Sequence, residues 1–167
     1  MTADSSAPQR TANVIGLGLI GGSIALGLRQ RGWVVHGDDT SVATADTAVR
    51  REIIHHIGLA PDAEITFVAV PVLAVTHQVK RALSETTGAV TDVGSVKAAV
   101  CTECDNPRFV GGHPMAGSEL DGLDGVAPEM FNGAVWVLTP VAHADDQTLA
   151  DVSAVVRSLG AEVVALS

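Results

Sequence analysis

The stretch "VIGLGLIGGS", Val14 to Ser23, constrains the fold more than any other part of the chain. It sets Gly16, Gly18 and Gly21 in a G-x-G-x-x-G spacing, with an apolar run before it and an amphipathic helical pattern after it. In such a turn Gly16 allows the tight bend and Gly18 lets the backbone approach a pyrophosphate. Gly21 lets the helix pack close to the strand, and Leu19 and Ile20 lie at the helix N-terminus, whose free N–H groups attract the phosphate charge. An acid about 20 residues further on completes the context that this motif requires for dinucleotide binding. The competing account is a glycine-lined packing face that binds nothing.

Apolar runs and amphipathic segments alternate along the rest of the chain. "ANVIGLG" reads as a strand and "LIGGSIALGLRQRG" as a helix closed by Gly32. "WVVHG" is a second strand, followed by the helix "SVATADTAVRREII", opened by Ser41. The strand "ITFVAV" ends at Pro71, and "LAVTHQVKRALS" is a helix. Then come "GAVTDV" (strand), "SVKAAVCTEC" (helix) and "RFVGGH" (strand), and after a loop "AVWVLT" (strand), "DQTLADVSAVVRSLG" (helix) and "EVVALS" (strand). With no Tyr, three Phe and two Trp, the core must be built mainly from small and branched aliphatic residues, which suits a covered parallel sheet. The expectation is an α/β chain: a Rossmann-type, doubly wound, mostly parallel sheet with helices on both faces. Residues 1–11 are expected to form a flexible tail and residues 12–167 a single dinucleotide-binding domain.

Ten Lys and Arg against nineteen Asp and Glu give a formal net charge of −9, which argues against nucleic acid or an anionic membrane as a partner. No apolar run reaches the roughly 18 residues of a membrane span, and "MTADSSAPQRTA" lacks the apolar centre of a signal peptide, so a cytoplasmic protein is expected. The lone "CTEC", Cys101 to Cys104, has no further pair of ligands at a plausible spacing, so no metal is expected.

The acid comes from "VVHGDDTS". Asp39 is the expected ribose ligand and Asp38 the alternate, the other being a solvated turn residue. No Arg follows within a few positions to receive a 2′-phosphate, so NAD is favoured over NADP. Val70, Pro71 and Val72 are expected to wall the cofactor site, although a simple strand terminator explains Pro71 equally well. In "TDVGSVK", Ser95 is the expected N-cap of the following helix, and Ser95 and Lys97 are candidates for contact with substrate or nicotinamide. "GGHPMAGSE" then places His113 behind two glycines at the end of a strand, with Ser118 and Glu119 just beyond. An imidazole, with an unperturbed pKa of about 6.5, suits general-base work there. The other histidines have weaker claims: His36 is within a strand, His55 and His56 adjoin a helix end, His77 is mid-helix and His143 is in a loop.

From Thr11 to Ser167 the chain resembles the prephenate and arogenate dehydrogenases of tyrosine biosynthesis. "GLGLIGGSIALGLR", "TDVGSVK", "GGHPMAGSE" and "FNGAVWVLTP" match that family's landmarks in order. The resemblance implies an NAD-dependent oxidative decarboxylation of a cyclohexadienyl acid, prephenate or arogenate. His113 then matches the family's catalytic histidine, and Ser95 the serine that helps to hold histidine and substrate hydroxyl. Lys97, Ser118 and Glu119 are further candidates for contact with substrate. The resemblance also implies a homodimer built through a C-terminal helical domain, carrying an arginine that grips a substrate carboxylate, which this chain ends before reaching. Two rival readings are a β-hydroxyacid-type dehydrogenase that uses Lys97 as its base, and a non-catalytic NAD-binding regulatory module.

Overall fold

The computed structural model describes residues 7–116 and 122–166. Ser118 and Glu119 lie outside the described residues. Eight strands form one sheet: β1 (Thr11–Ile15), β2 (Val34–Asp38), β3 (His56–Ile57), β4 (Ile65–Val68), β5 (Ala89–Asp92), β6 (Phe109–Pro114), β7 (Val135–Pro140) and β8 (Glu162–Ala165). The helices are α1 (Leu19–Gln30), α2 (Val42–Arg50), α3 (Val75–Glu85), α4 (Ala98–Glu103) and α5 (Asp146–Ser158).

The strand order is β3-β2-β1-β4-β5-β6-β7-β8, and every neighbouring pair is parallel except β6 and β7. The chain therefore winds outward from β1 to β3, crosses back to β4, and winds the other way. This reversal between β1 and β4 opens a crevice at their carboxyl ends, where open α/β sheets bind ligands.

The period-2 alternation of the strands divides the core into two clusters. Ala12, Val14, Ile65 and Phe67 pack with Ala25 and Leu28 of α1, Ala45 and Ala48 of α2, and Val152 and Val156 of α5. Ile15 and Val68 pack in the second cluster with Val75, Val79 and Ala82 of α3 and Val100 of α4. Asn13 is one of the polar residues buried inside the sheet. Its amide donates to the Ala60 carbonyl at 2.9 Å and to Thr66 Oγ1 at 3.1 Å, and its Oδ1 accepts from Ala60 N at 2.8 Å. A fully buried amide satisfied in this way fixes the approach to β4 without a desolvation penalty.

Four sequence expectations are corrected. Thr11 belongs to β1 rather than to a tail, and Arg10 already joins the folded body through Glu64 and the face of Trp33, 4.1 Å from the ring centroid. Helix α2 stops at Arg50 instead of Ile54, because Glu52 takes φ +57° and turns Ile53 and Ile54 into the core. His56 forms an edge strand beside His36. Helix α4 begins only at Ala98, with Lys97 in the cap position, so Ser95 does not cap it. The Asp92 carboxylate gathers Gly94 N and Lys97 Nζ and holds the intervening residues in a loop. No helix among the described residues is long and apolar enough to cross a membrane.

Candidate cofactor and active site

A cleft of about 450 Å³ occupies the crevice between β1 and β4. Its floor is the glycine-rich turn. Gly16 has φ +92°, and a Cβ there would lie 2.1 Å from the Ala69 carbonyl oxygen, so only glycine fits. At Gly21 a Cβ would fall 1.8 Å from the Gly16 carbonyl oxygen, which is the close helix–strand approach that the motif requires. Gly18 differs, because no heavy atom lies within 4 Å of the corresponding position. The space beside it is open. Leu19 and Ile20 follow in the first turn of α1, which carries neither an acidic residue nor a side-chain cap. Its N–H groups are therefore available to an anion.

Asp38 and Asp39 have separate roles in the geometry. Asp39 accepts from Leu17 N through one oxygen and from Ser41 N through the other, both at 2.8 Å. It ties the glycine turn to the end of β2, and each oxygen keeps a further lone pair for a ribose hydroxyl. Asp38 is not a free turn residue: its Oδ2 lies 2.6 Å from Arg81 Nη1. Arg81 reaches the cleft from α3, together with Gln78. The pairing with Asp38 holds the guanidinium in its charged form. A sequence reading that looked only just past Asp39 for a basic residue misses it, since the two partners are 43 residues apart.

The opposite wall contains Ala69, Val70, Pro71 and Ala74. Val72 does not belong to it. It begins a single helical turn, Val72–Ala74, and is half-exposed outside the cleft, because Pro71 directs the chain away from the sheet.

Two strands further across, β5 and β6 carry the other candidates on the same carboxyl edge. The β5–β6 pairing ends at Thr91 and Val110, so Gly111 to Pro114 project past it while remaining paired with β7, where His113 faces Val137. The glycines before His113 are explained by crowding. A Cβ on Gly112 would lie 2.6 Å from the Asp92 carbonyl oxygen and 3.1 Å from Trp136 Nε1. His113 is half-buried, and Ser95 is exposed on the β5–α4 loop. Lys97 is less available than the sequence implied, because its ammonium pairs with Asp92, whose side chain is fully buried. Of "CTEC", Cys104 is buried with its Sγ toward the Thr76 carbonyl, and burial pushes both thiols up.

The family model for the prephenate dehydrogenase nucleotide-binding domain matches residues 24–165. The chain belongs to the prephenate dehydrogenase family. A prephenate dehydrogenase from Bacillus subtilis is 32% identical over 94% of this chain and 46% of its own length. The crystal structure of Synechocystis arogenate dehydrogenase superposes with a TM-score of 0.88 at 32% identity, covering 94% of this chain and 59% of that one. That of prephenate dehydrogenase from A. aeolicus in complex with hydroxyphenyl propionate and NAD+ also gives 0.88, at 27% identity, over 98% of this chain and 62% of that one. The chain thus spans about half the length of the curated members of the family that it matches.

Proposed function

We propose that this domain binds NAD+ in the β1/β4 cleft and uses His113 as the base in the oxidative decarboxylation of prephenate or arogenate. The observation that carries the reading is the shared carboxyl edge. The glycine turn after β1, braced by Asp39, and the histidine on β6 both stand there, three strands apart in the order β1-β4-β5-β6. Membership in a family whose relatives are named for these two substrates supports it.

The residues present suit the cofactor. The open space at Gly18 and the free first-turn N–H groups of α1 would hold the pyrophosphate, and Asp39 would accept from the adenosine ribose. Val70 and Pro71 offer apolar surface further along the cleft. When bound, NAD+ supplies the hydride acceptor. His113 accepts a hydrogen bond, and finally a proton, from the hydroxyl on the ring carbon that loses hydride. Drawing density out of the O–H bond eases hydride departure, and loss of CO2 from the quaternary ring carbon then yields an aromatic 4-hydroxyphenyl product. Ser95, on the neighbouring loop, helps to hold the hydroxyl. A positioned base contributes typically about 10²–10⁴-fold.

The test is NADH formation by the purified protein with NAD+ and either prephenate or arogenate, alongside direct NAD+ binding. Reduction with either acid supports the assignment. A protein that binds neither NAD+ nor NADP+ contradicts it.

A further inference from the structure

The adenosine end of the cleft holds more charge than a ribose needs. Asp38, Asp39, Thr40, Gln78 and Arg81 line it together. Asp39 is occupied by two backbone N–H groups, whereas Asp38 makes its contact with Arg81. Arg81 is held from three sides: by Asp38 at 2.6 Å, by Gln78 Oε1 at 3.3 Å, and by Glu85 Oε2, 3.2 Å from its Nε. Its side chain is 31% exposed and that of Asp38 is 26% exposed, so neither charge is fully screened by water.

An arginine fork is the side chain best shaped to take a phosphate through two parallel N–H bonds. Here that fork stands beside Asp39, the expected ribose ligand, and Asp38, its alternate, yet Asp38 and Glu85 already occupy it. With Asp38 and Glu85 on the guanidinium and Asp39 lining the same end of the cleft, that end is net negative and repels a 2′-phosphate. We infer that Arg81 is a specificity-determining residue for the cofactor: Asp38 masks its guanidinium and so favours NAD+, and unmasking it creates a 2′-phosphate site. The inference rests on the proposed cofactor site.

The experiment measures dissociation constants for NAD+ and NADP+ with the wild-type protein, Asp38→Asn, Arg81→Ala and the double variant. Wild type is expected to prefer NAD+. Asp38→Asn, which keeps the side-chain shape, is expected to tighten NADP+ binding about tenfold or more, the size of one charge-assisted hydrogen bond. Arg81→Ala alone is expected to leave NADP+ weak, and the double variant to lose the gain. If the double variant keeps the gain, loss of carboxylate repulsion explains it and Arg81 has no role. No gain in Asp38→Asn also overturns the inference. In either case intact NAD+ binding by wild type leaves the cofactor site itself standing, whereas wild type that binds neither dinucleotide removes both.

Discussion

The backbone N–H of Gly112 donates to the Asp92 carboxylate across 3.0 Å, tying β6 to β5 one residue before His113. The other oxygen of the same carboxylate takes Gly94 N and the Lys97 ammonium. One fully buried side chain thus holds both the strand of the candidate base and the loop that carries Ser95.

Asp92→Ala is therefore expected to unpair three groups at once. Removing one partner of a buried ion pair costs roughly 3–5 kcal/mol. Lys97 retains some access to water, which places the expectation at the lower end of that range. Asp92→Asn keeps an acceptor for Gly112 and should cost less. Denaturant unfolding of both variants checks the order, and an alanine variant as stable as wild type would refute this bracing role.

His113→Asn is expected to retain NAD+ binding while turnover falls about 10²–10⁴-fold. Lys97→Ala is expected to reduce stability more than it reduces turnover, since the ammonium is engaged by Asp92. Steady-state kinetics on both variants decide between the two bases. A larger loss of kcat in Lys97→Ala would reverse the assignment toward a β-hydroxyacid-type mechanism.

The glycines of the turn should separate into two kinds. Gly21→Ala forces a Cβ to 1.8 Å from the Gly16 carbonyl, and overpacking of this sort costs about 1–3 kcal/mol or more. Gly18→Ala meets nothing within 4 Å, and its φ of −83° suits alanine, so stability should change by no more than about 0.5 kcal/mol. Binding should reverse the contrast, with NAD+ affinity falling in Gly18→Ala although the protein is fully folded. Thermal melts paired with NAD+ titrations test both. An alanine at Gly18 with wild-type affinity would show that the dinucleotide does not approach that backbone.

Acid should loosen the β2–β3 edge. Burial, then the proximity of His56, lowers the pKa of His36; burial, then Arg29 and the two neighbouring histidines, lowers that of His55. His55 Nδ1 also accepts from Val35 N at 3.0 Å, a bond that only the unprotonated nitrogen can accept. Because the folded values lie below 6.5, the unfolded chain binds more protons, and stability falls as pH drops below about 6.5. The melting temperature should decline from about pH 7.5 to pH 5, and less steeply in His55→Asn. Equal slopes in the two proteins would show that His55 does not couple to folding.

The glycine turn, the alternation of elements and the strand that carries His113 were legible because each is a local pattern. The edge strand was not. His56 and Ile57 form only two residues of pairing, and the helix before them ends where Glu52 adopts a left-handed backbone with no sequence mark. Ser95 has the residue type of a cap, but the pull of Asp92 on Gly94 and Lys97 moves the helix start to Ala98. Arg81 could not be assigned locally at all, since it lies on the polar side of an ordinary amphipathic helix and meets Asp38 only after the chain has crossed the sheet.

The connection between the antiparallel strands β6 and β7 carries no crossover helix among its described residues. Its two helical turns, Gly122–Gly125 and Pro128–Phe131, lie instead against α1. Val126 fills the space that a side chain at Gly22 would need, and Ala127 N donates to Ser23 Oγ at 3.0 Å. Residues 122–131, which lead into β7 and so to Val137, the pairing partner of His113, are thereby clamped to the helix whose first turn is offered to the cofactor. A substitution at Gly22 would accordingly be felt at two places at once, and a defect in cofactor binding and a displaced base would be one lesion rather than two.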